Sequence, residues 1–219
     1  LRRRQRQMCI RDRAGTTYVD DRIVEVRGTT KSEFAELYKD FGYGDDESII
    51  ARDPGGSLSY TADIGSGHRL IAVDANEYSG ELCTGKKYLE GDLLNWVNSQ
   101  IKECTAAGDI PLLMMHYDLI EKYDMQSTIM GGNFLDGGEK LAESFADLGV
   151  RYIFTGHSHA NDISSLTTKA GNTVYEVCTG SLVLHGSPIR HAKLSGEDCS
   201  IRTCLLYTSD AADDGERVD

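Results

Sequence analysis

The chain has 219 residues, 40% of them hydrophobic, and a formal net charge of -12. That length fits one domain or a large part of one. The acidic balance argues against a nucleic-acid backbone as the main partner, because such a partner needs a basic surface. No apolar run approaches the roughly 20 residues of a membrane span. The amino-terminal stretch is basic but lacks the apolar core of a secretory signal.

The two ends are related to each other through DNA. Codons can be chosen for Arg3 to Asp12 whose reverse complement, read onward in one frame, encodes Cys204-Leu205-Leu206-Tyr207-Thr208-Ser209-Asp210-Ala211-Ala212-Asp213. The relation resembles a transposase adapter for sequencing libraries, translated from opposite strands at the two ends. On this reading residues 1–13 and 203–219 are adapter, and 14–202 are the natural insert. The basic cluster Arg2 to Arg13 then says nothing about partners. Of the cysteines in the insert, Cys83, Cys104, Cys178 and Cys199, none forms a C-x-x-C pair, so a zinc ribbon is not expected and disulfides stay open.

Within the insert, Thr30-Lys31-Ser32-Glu33 has the spacing of a capping box. Phe34, Leu37, Tyr38 and Phe41 follow at helical spacing and predict an amphipathic helix ended by Gly42. A polar loop is expected over 44–56. Leu58, Tyr60, Ala62 and Ile64 alternate with polar residues, Gly65-Ser66-Gly67 makes a turn, and Leu70 to Val73 is apolar, so 57–74 reads as a hairpin. Leu89 to Lys102 reads as a helix with Leu93, Trp96, Val97 and Ile101 on its core face. Ile110 to Met115 is apolar throughout, as a strand covered on both faces would be. A helix over Gly138 to Leu148, buried through Leu141, Phe145 and Leu148, precedes a strand over Val150 to Phe154. Alternating helices and strands predict a layered α/β architecture. Ala170-Gly171-Asn172 then joins Asp162–Thr168 and Thr173–Cys178 in a second hairpin.

Histidines fall where two of these strands end. His116 follows the apolar run Ile110 to Met115, and Gly156-His157-Ser158-His159 follows Val150 to Phe154. Imidazole is the commonest metal ligand, and two histidines two residues apart can aim at one small volume. In open α/β sheets, ligands bind outside the carboxyl ends of strands. The candidate metal ligands are therefore His116, His157 and His159.

A strand ending in a lone His, followed about 40 residues later by a strand and Gly-His-x-His, resembles the calcineurin-like metallophosphoesterases. That family carries five blocks in chain order: D-x-H, G-D, G-N-H-D/E, a lone His and G-H-x-H. His116 matches the fourth and Gly156-His157-Ser158-His159 the fifth. Arg52-Asp53-Pro54 before Ser57-Leu58-Ser59-Tyr60, and Cys178-Thr179-Gly180-Ser181, look like features of bacterial members. The resemblance implies a layered αββα sandwich and a dinuclear centre of Mn, Fe or Zn. His116 and His157 would hold one metal and His159 the other. Its substrates would be phosphomonoesters or phosphodiesters, nucleotides among them. Two cations lower the pKa of a bridging water and stabilise the charge that develops on the phosphoryl group. The glycine before His157 would let the backbone turn sharply.

The first three blocks are not found. Gly91-Asp92 falls inside a helical pattern and Asp20-Asp21 in a loop-like stretch. The insert is thus expected to be the carboxyl-terminal part of a metallophosphoesterase domain, truncated on its amino-terminal side and carrying half the ligands. No residue is assigned a catalytic proton-transfer role. The alternative is a non-enzymatic metal-binding fragment without turnover. Simpler roles are read for the other singled-out residues. His68 is taken as exposed after its turn, and His185 and His191 as part of a polar carboxyl-terminal stretch. Asp74 and Asn76 are strand-end caps, and Tyr117 and Trp96 are core.

Overall fold

The computed structural model describes residues 15–19, 22–41, 43–44, 46–183 and 186–206. Its centre is a mixed seven-stranded sheet, so the chain is α/β. Two strands outside that sheet come first: β1 (Gly15–Val19) and β2 (Arg22–Val26) form an antiparallel hairpin. Helix α1 (Lys31–Tyr38) follows. The sheet then receives β3 (Ile49–Arg52), β4 (Tyr60–Asp63) and β5 (His68–Val73). A separate hairpin of β6 (Asn76–Ser79) and β7 (Leu82–Lys87) leads into α2 (Gly91–Ala106) and β8 (Ile110–Met115). After a short α3 (Gln126–Ile129) come α4 (Gly138–Asp147), β9 (Tyr152–Thr155), β10 (Asp162–Thr167) and β11 (Thr173–Cys178). A last hairpin pairs β12 (Pro188–Ser195) with β13 (Asp198–Leu205).

Spatial order in the sheet is β10-β11-β9-β8-β5-β4-β3. The four inner strands β11, β9, β8 and β5 are mutually parallel, and the flanking pairs are antiparallel. Two crossovers, β5 to β8 through α2 and β8 to β9 through α4, step in the same direction across the sheet. Right-handed crossovers that step the same way place both helices on one face. Leu93, Val97 and Ile101 of α2 and Ala142, Phe145 and Ala146 of α4 accordingly join Ile71, Leu113, Met115 and Ile153 in one core. The last hairpin is tied to the sheet at four points. His68 Nε2 lies 2.9 Å from the Gly196 carbonyl, and Arg151 pairs with Glu197 at 2.7 Å. The Tyr152 hydroxyl donates to the Glu197 carbonyl, and the Cys199 N–H donates to the Tyr152 hydroxyl.

The capping box forms as expected: Thr30 Oγ1 accepts from the Glu33 N–H, and the Glu33 carboxylate accepts from the Thr30 N–H. The hairpin over 57–74 forms too, with Gly65, Ser66 and Gly67 all at positive φ in its turn. Both later helices, the central strand and the β10–β11 hairpin also stand where the pattern put them. Other readings are corrected. The apolar stripe of α1 is not buried: Phe41 is 80% and Leu37 53% exposed, while Phe34 and Tyr38 stack on each other at 4.5 Å. Gly42 lies outside the described residues. The expected loop over 44–56 contains edge strand β3, and the polar carboxyl-terminal stretch forms β12 and β13, the latter running through Thr203 to Leu205. Polar alternating strands of this kind pair through their backbones and leave little hydrophobic signal.

His68 is a clear correction: it is 3% exposed, not a surface residue. Its cover comes from the β12–β13 turn, 128 positions away in the chain. Cys104, Cys178 and Cys199 carry free thiols, and burial pushes that of Cys104 up to about 11. Among the described residues no helix is long and apolar enough to cross a membrane.

Candidate functional site

β8 and β9 are parallel neighbours, paired from Leu112↔Tyr152 to Met114↔Phe154. Their carboxyl ends therefore lie side by side, and each is followed by a histidine. Backbone bonds lock the two ends together. The His116 carbonyl accepts from the Gly156 N–H at 3.2 Å and from the His157 N–H at 2.8 Å. This places His157 Nδ1 2.6 Å from His116 Nε2, with the rings nearly perpendicular at 80°. At that distance one nitrogen carries a proton and the other presents a lone pair, so the two rings are not both cations. Desolvation of its ring, then the neighbouring His157 and His159, hold the His116 pKa down to about 4, although the residue as a whole is exposed. A neutral imidazole is the form that ligates a metal.

Two imidazole nitrogens on one tetrahedral cation, each ~2.0–2.1 Å from it, stand about 3.3 Å apart. The observed 2.6 Å is a hydrogen-bond distance, so the pair must open by about 0.7 Å to take a cation. The donor set fits a divalent transition metal; the spacing fits after that opening. His159 lies close enough to act on His116 electrostatically. Even so, no cluster of three or more ligating side chains is found among the described residues. Of the three expected ligands, the structure thus brings His116 and His157 into contact and leaves His159 outside the pair.

The turn that carries the motif differs from the expectation. Gly156 is not at positive φ, and a Cβ added there would meet only the Thr179 carbonyl oxygen, at an ordinary 3.7 Å. The left-handed residue is His159, at φ 55°, whose N–H donates to the Gly156 carbonyl. Gly156→Ala is therefore expected to change stability by less than about 0.5 kcal/mol, as surface changes away from strained backbone do. Chemical unfolding checks this, and a loss of several times that size would restore a special role for the glycine.

Beside the pair stands Tyr117, 7% exposed, its ring 4.9 Å from that of His157. It packs in the core, as expected, and its hydroxyl donates to Asn76 Oδ1 at 3.3 Å. Asp74 follows β5 directly, and Asn76 opens β6 rather than capping β5. Asp74 accepts from Asn76 Nδ2, from the Tyr78 hydroxyl and from the Leu58 N–H. Trp96 is partly buried against the core. His191 is exposed on β12, and His185 lies outside the described residues.

Sequence reading missed the buried ionic group on the helix side of the same strand ends. Glu176 of β11 is 1% exposed. Its Oε2 accepts from the N–H groups of Leu119 at 2.6 Å and Ile120 at 3.0 Å, and its Oε1 accepts from the Thr155 hydroxyl at 3.2 Å. Lys122 Nζ, almost fully covered, donates to Asp118 Oδ2 at 2.7 Å and lies 3.8 Å from Glu176 Oε1. Asp118 Oδ1 is buried without a hydrogen-bond partner. A signal did exist: Val174, Glu176 and Cys178 alternate onto one buried face of β11, and a carboxylate in such a row needs partners.

Burial pushes the Glu176 pKa up to about 7, the Leu119 N–H opposing and the Asp118 charge adding to the rise. The unfolded glutamate titrates near 4.3. A raised folded pKa means that the stabilising effect of the neutral form is complete below the unfolded value. It is lost as pH climbs toward the folded one. The chain is expected to lose stability between about pH 4.3 and pH 7 from this group, and Glu176→Gln to flatten that loss. Urea unfolding across this range checks it; identical pH profiles for the two proteins would contradict the assignment.

No family model matches the chain, and no curated protein matches it.

Proposed function

We propose that this chain carries the carboxyl-terminal part of a metal-dependent phosphoesterase site, of the calcineurin-like kind its two histidine blocks resemble. The observation that carries the reading is the contact of His116 Nε2 with His157 Nδ1 at the carboxyl ends of adjacent parallel strands. His116 and His157 would share one divalent cation, and His159 would contribute to a second. Such cations polarise phosphoryl oxygens and make a bound water nucleophilic near neutral pH. The chain's own part is to hold two imidazoles in a fixed crossing geometry at the strand ends. The substrate class is a small phosphate ester, nucleotides among the candidates.

The αββα sandwich belongs to the same proposal. Helices α2 and α4 share one face of the sheet. The other face carries Met114 and Ile163, 40% and 47% exposed, in one cross-strand row with Phe154 and Val177. A second sheet would find an apolar seat there.

A second reading, a metal-binding fragment without turnover, is favoured by one finding: among the described residues no three ligating groups come together. Assaying the chain with Mn²⁺ on p-nitrophenyl phosphate and its diester, beside a longer version with the upstream sequence, separates the two. Only the longer version is expected to turn over. Metal-dependent turnover by this chain alone, abolished by His157→Ala, overturns the fragment reading. An inactive longer version overturns the enzyme reading.

A further inference from the structure

We propose that Glu176 is the positioning residue that sets the separation of His116 and His157. The deeper use of the pair rests on its being a ligand pair, as proposed above; the positioning itself does not. The backbone joins the two strand ends through their parallel ladder and through the His116 carbonyl with its two donors. Further along, backbone bonds of Asp118 to Asn133 and Leu135, and of Thr179 to Thr155, hold each segment to other parts of the fold but not to the other histidine's segment. Glu176 supplies a side-chain tie between them. One of its oxygens holds Leu119 and Ile120, three and four residues past His116. The other holds the hydroxyl of Thr155, two residues before His157.

A single side chain thus grips both histidine-bearing segments from below, through three bonds to two different strand ends. Glu176 stands on the next strand over, paired with Ile153 of β9 in a parallel ladder, and it is nearly inaccessible to solvent. Asp118 and Lys122 flank it and close the same loop by their own ion pair. The Ser158 hydroxyl meets Cys178 Sγ at 3.2 Å, so the β11 strand touches the motif again two residues beyond Glu176. Groups that orient metal-binding histidines from behind commonly change affinity by about 10–100-fold when removed.

The test uses the full chain in three variants. Glu176→Ala removes all three bonds. Glu176→Gln keeps an oxygen for the two N–H donors and an amide that can serve Thr155. Thr155→Val removes the β9 tie, together with the hydroxyl's contact to the Cys178 thiol, at nearly constant volume. Proton–nitrogen correlation spectra of the imidazoles, without metal, report the bridging proton between His157 Nδ1 and His116 Nε2 and the tautomer of each ring. Wild type and Glu176→Gln are expected to show one bridging proton and fixed tautomers. Glu176→Ala is expected to lose both, and Thr155→Val to show averaging of the His157 tautomer. Co²⁺ titration is the second readout, with binding about 10–100-fold weaker in Glu176→Ala. A folded Glu176→Ala protein with the wild-type imidazole spectrum overturns the proposal. So does a wild-type spectrum without the bridging proton. If Glu176→Ala does not fold, Thr155→Val decides alone, and unchanged imidazole spectra in it overturn the proposal. Intact spectra with no Co²⁺ binding in wild type would overturn the metal reading and leave the positioning role standing.

Discussion

Replacing Lys122 by Met is expected to destabilise the folded chain by about 3–5 kcal/mol, the usual cost of removing one partner from a buried ion pair. The ammonium sits 2.7 Å from Asp118 Oδ2, with side-chain exposures of 6% and 0%. Burial lowers the Lys122 pKa, yet the bond to Asp118 and its charge raise it on balance, so the lysine stays a cation in the interior. Methionine fills the volume and removes the charge. Asp118 would then be a carboxylate in a closed space with both oxygens unserved, because its Oδ1 already has no partner. Nearby Glu176 adds a second carboxyl to the same space. Urea unfolding at neutral pH measures the loss. Adding Asp118→Asn to Lys122→Met is expected to recover much of it, since the uncompensated charge is the source of the cost. A single variant within about 1 kcal/mol of wild type would show that water reaches the group in solution.

His157→Ala carries the largest expected effect on binding. One of the two contacting nitrogens disappears, and with it the crossing geometry of the pair. Co²⁺ or Zn²⁺ affinity is expected to fall by at least about 100-fold, beyond what loss of an orienting group alone causes. His191→Ala is the control: that residue is exposed on β12 and is expected to leave affinity unchanged. His159→Ala would separate the two cation positions of that proposal. It is outside the contact pair, so the tightest binding is expected to survive it. Titration by calorimetry, with the visible spectrum of bound Co²⁺ as the geometric check, reads all three. Equal affinities across wild type and His157→Ala would remove the pair from any metal site and with it the phosphoesterase proposal.

What could be read along the chain was what depends on near neighbours. The Thr30–Glu33 capping box is closed by atoms three residues apart. Leu93, Val97 and Ile101 repeat at helical spacing because one face of α2 is buried, and Ile110 to Met115 is apolar because β8 is central. The same local logic put His116 and His157 at strand ends. Where surface elements bury little, as in α1, β3 and the β12–β13 hairpin, apolar spacing misled or was silent.

By itself, then, the sequence determined the alternation of helices and strands and the strand-end address of the histidines. Both follow from periodicity and from residues adjacent in the chain. Only the tertiary structure decided that β8 and β9 are neighbours, which turns two separate histidines into a 2.6 Å pair. Tertiary contact also buried His68 under a turn near the other end of the chain. It made His159, not Gly156, the left-handed residue of the motif. And it set Glu176 beneath both strand ends, because a buried carboxylate must find donors wherever the fold brings them.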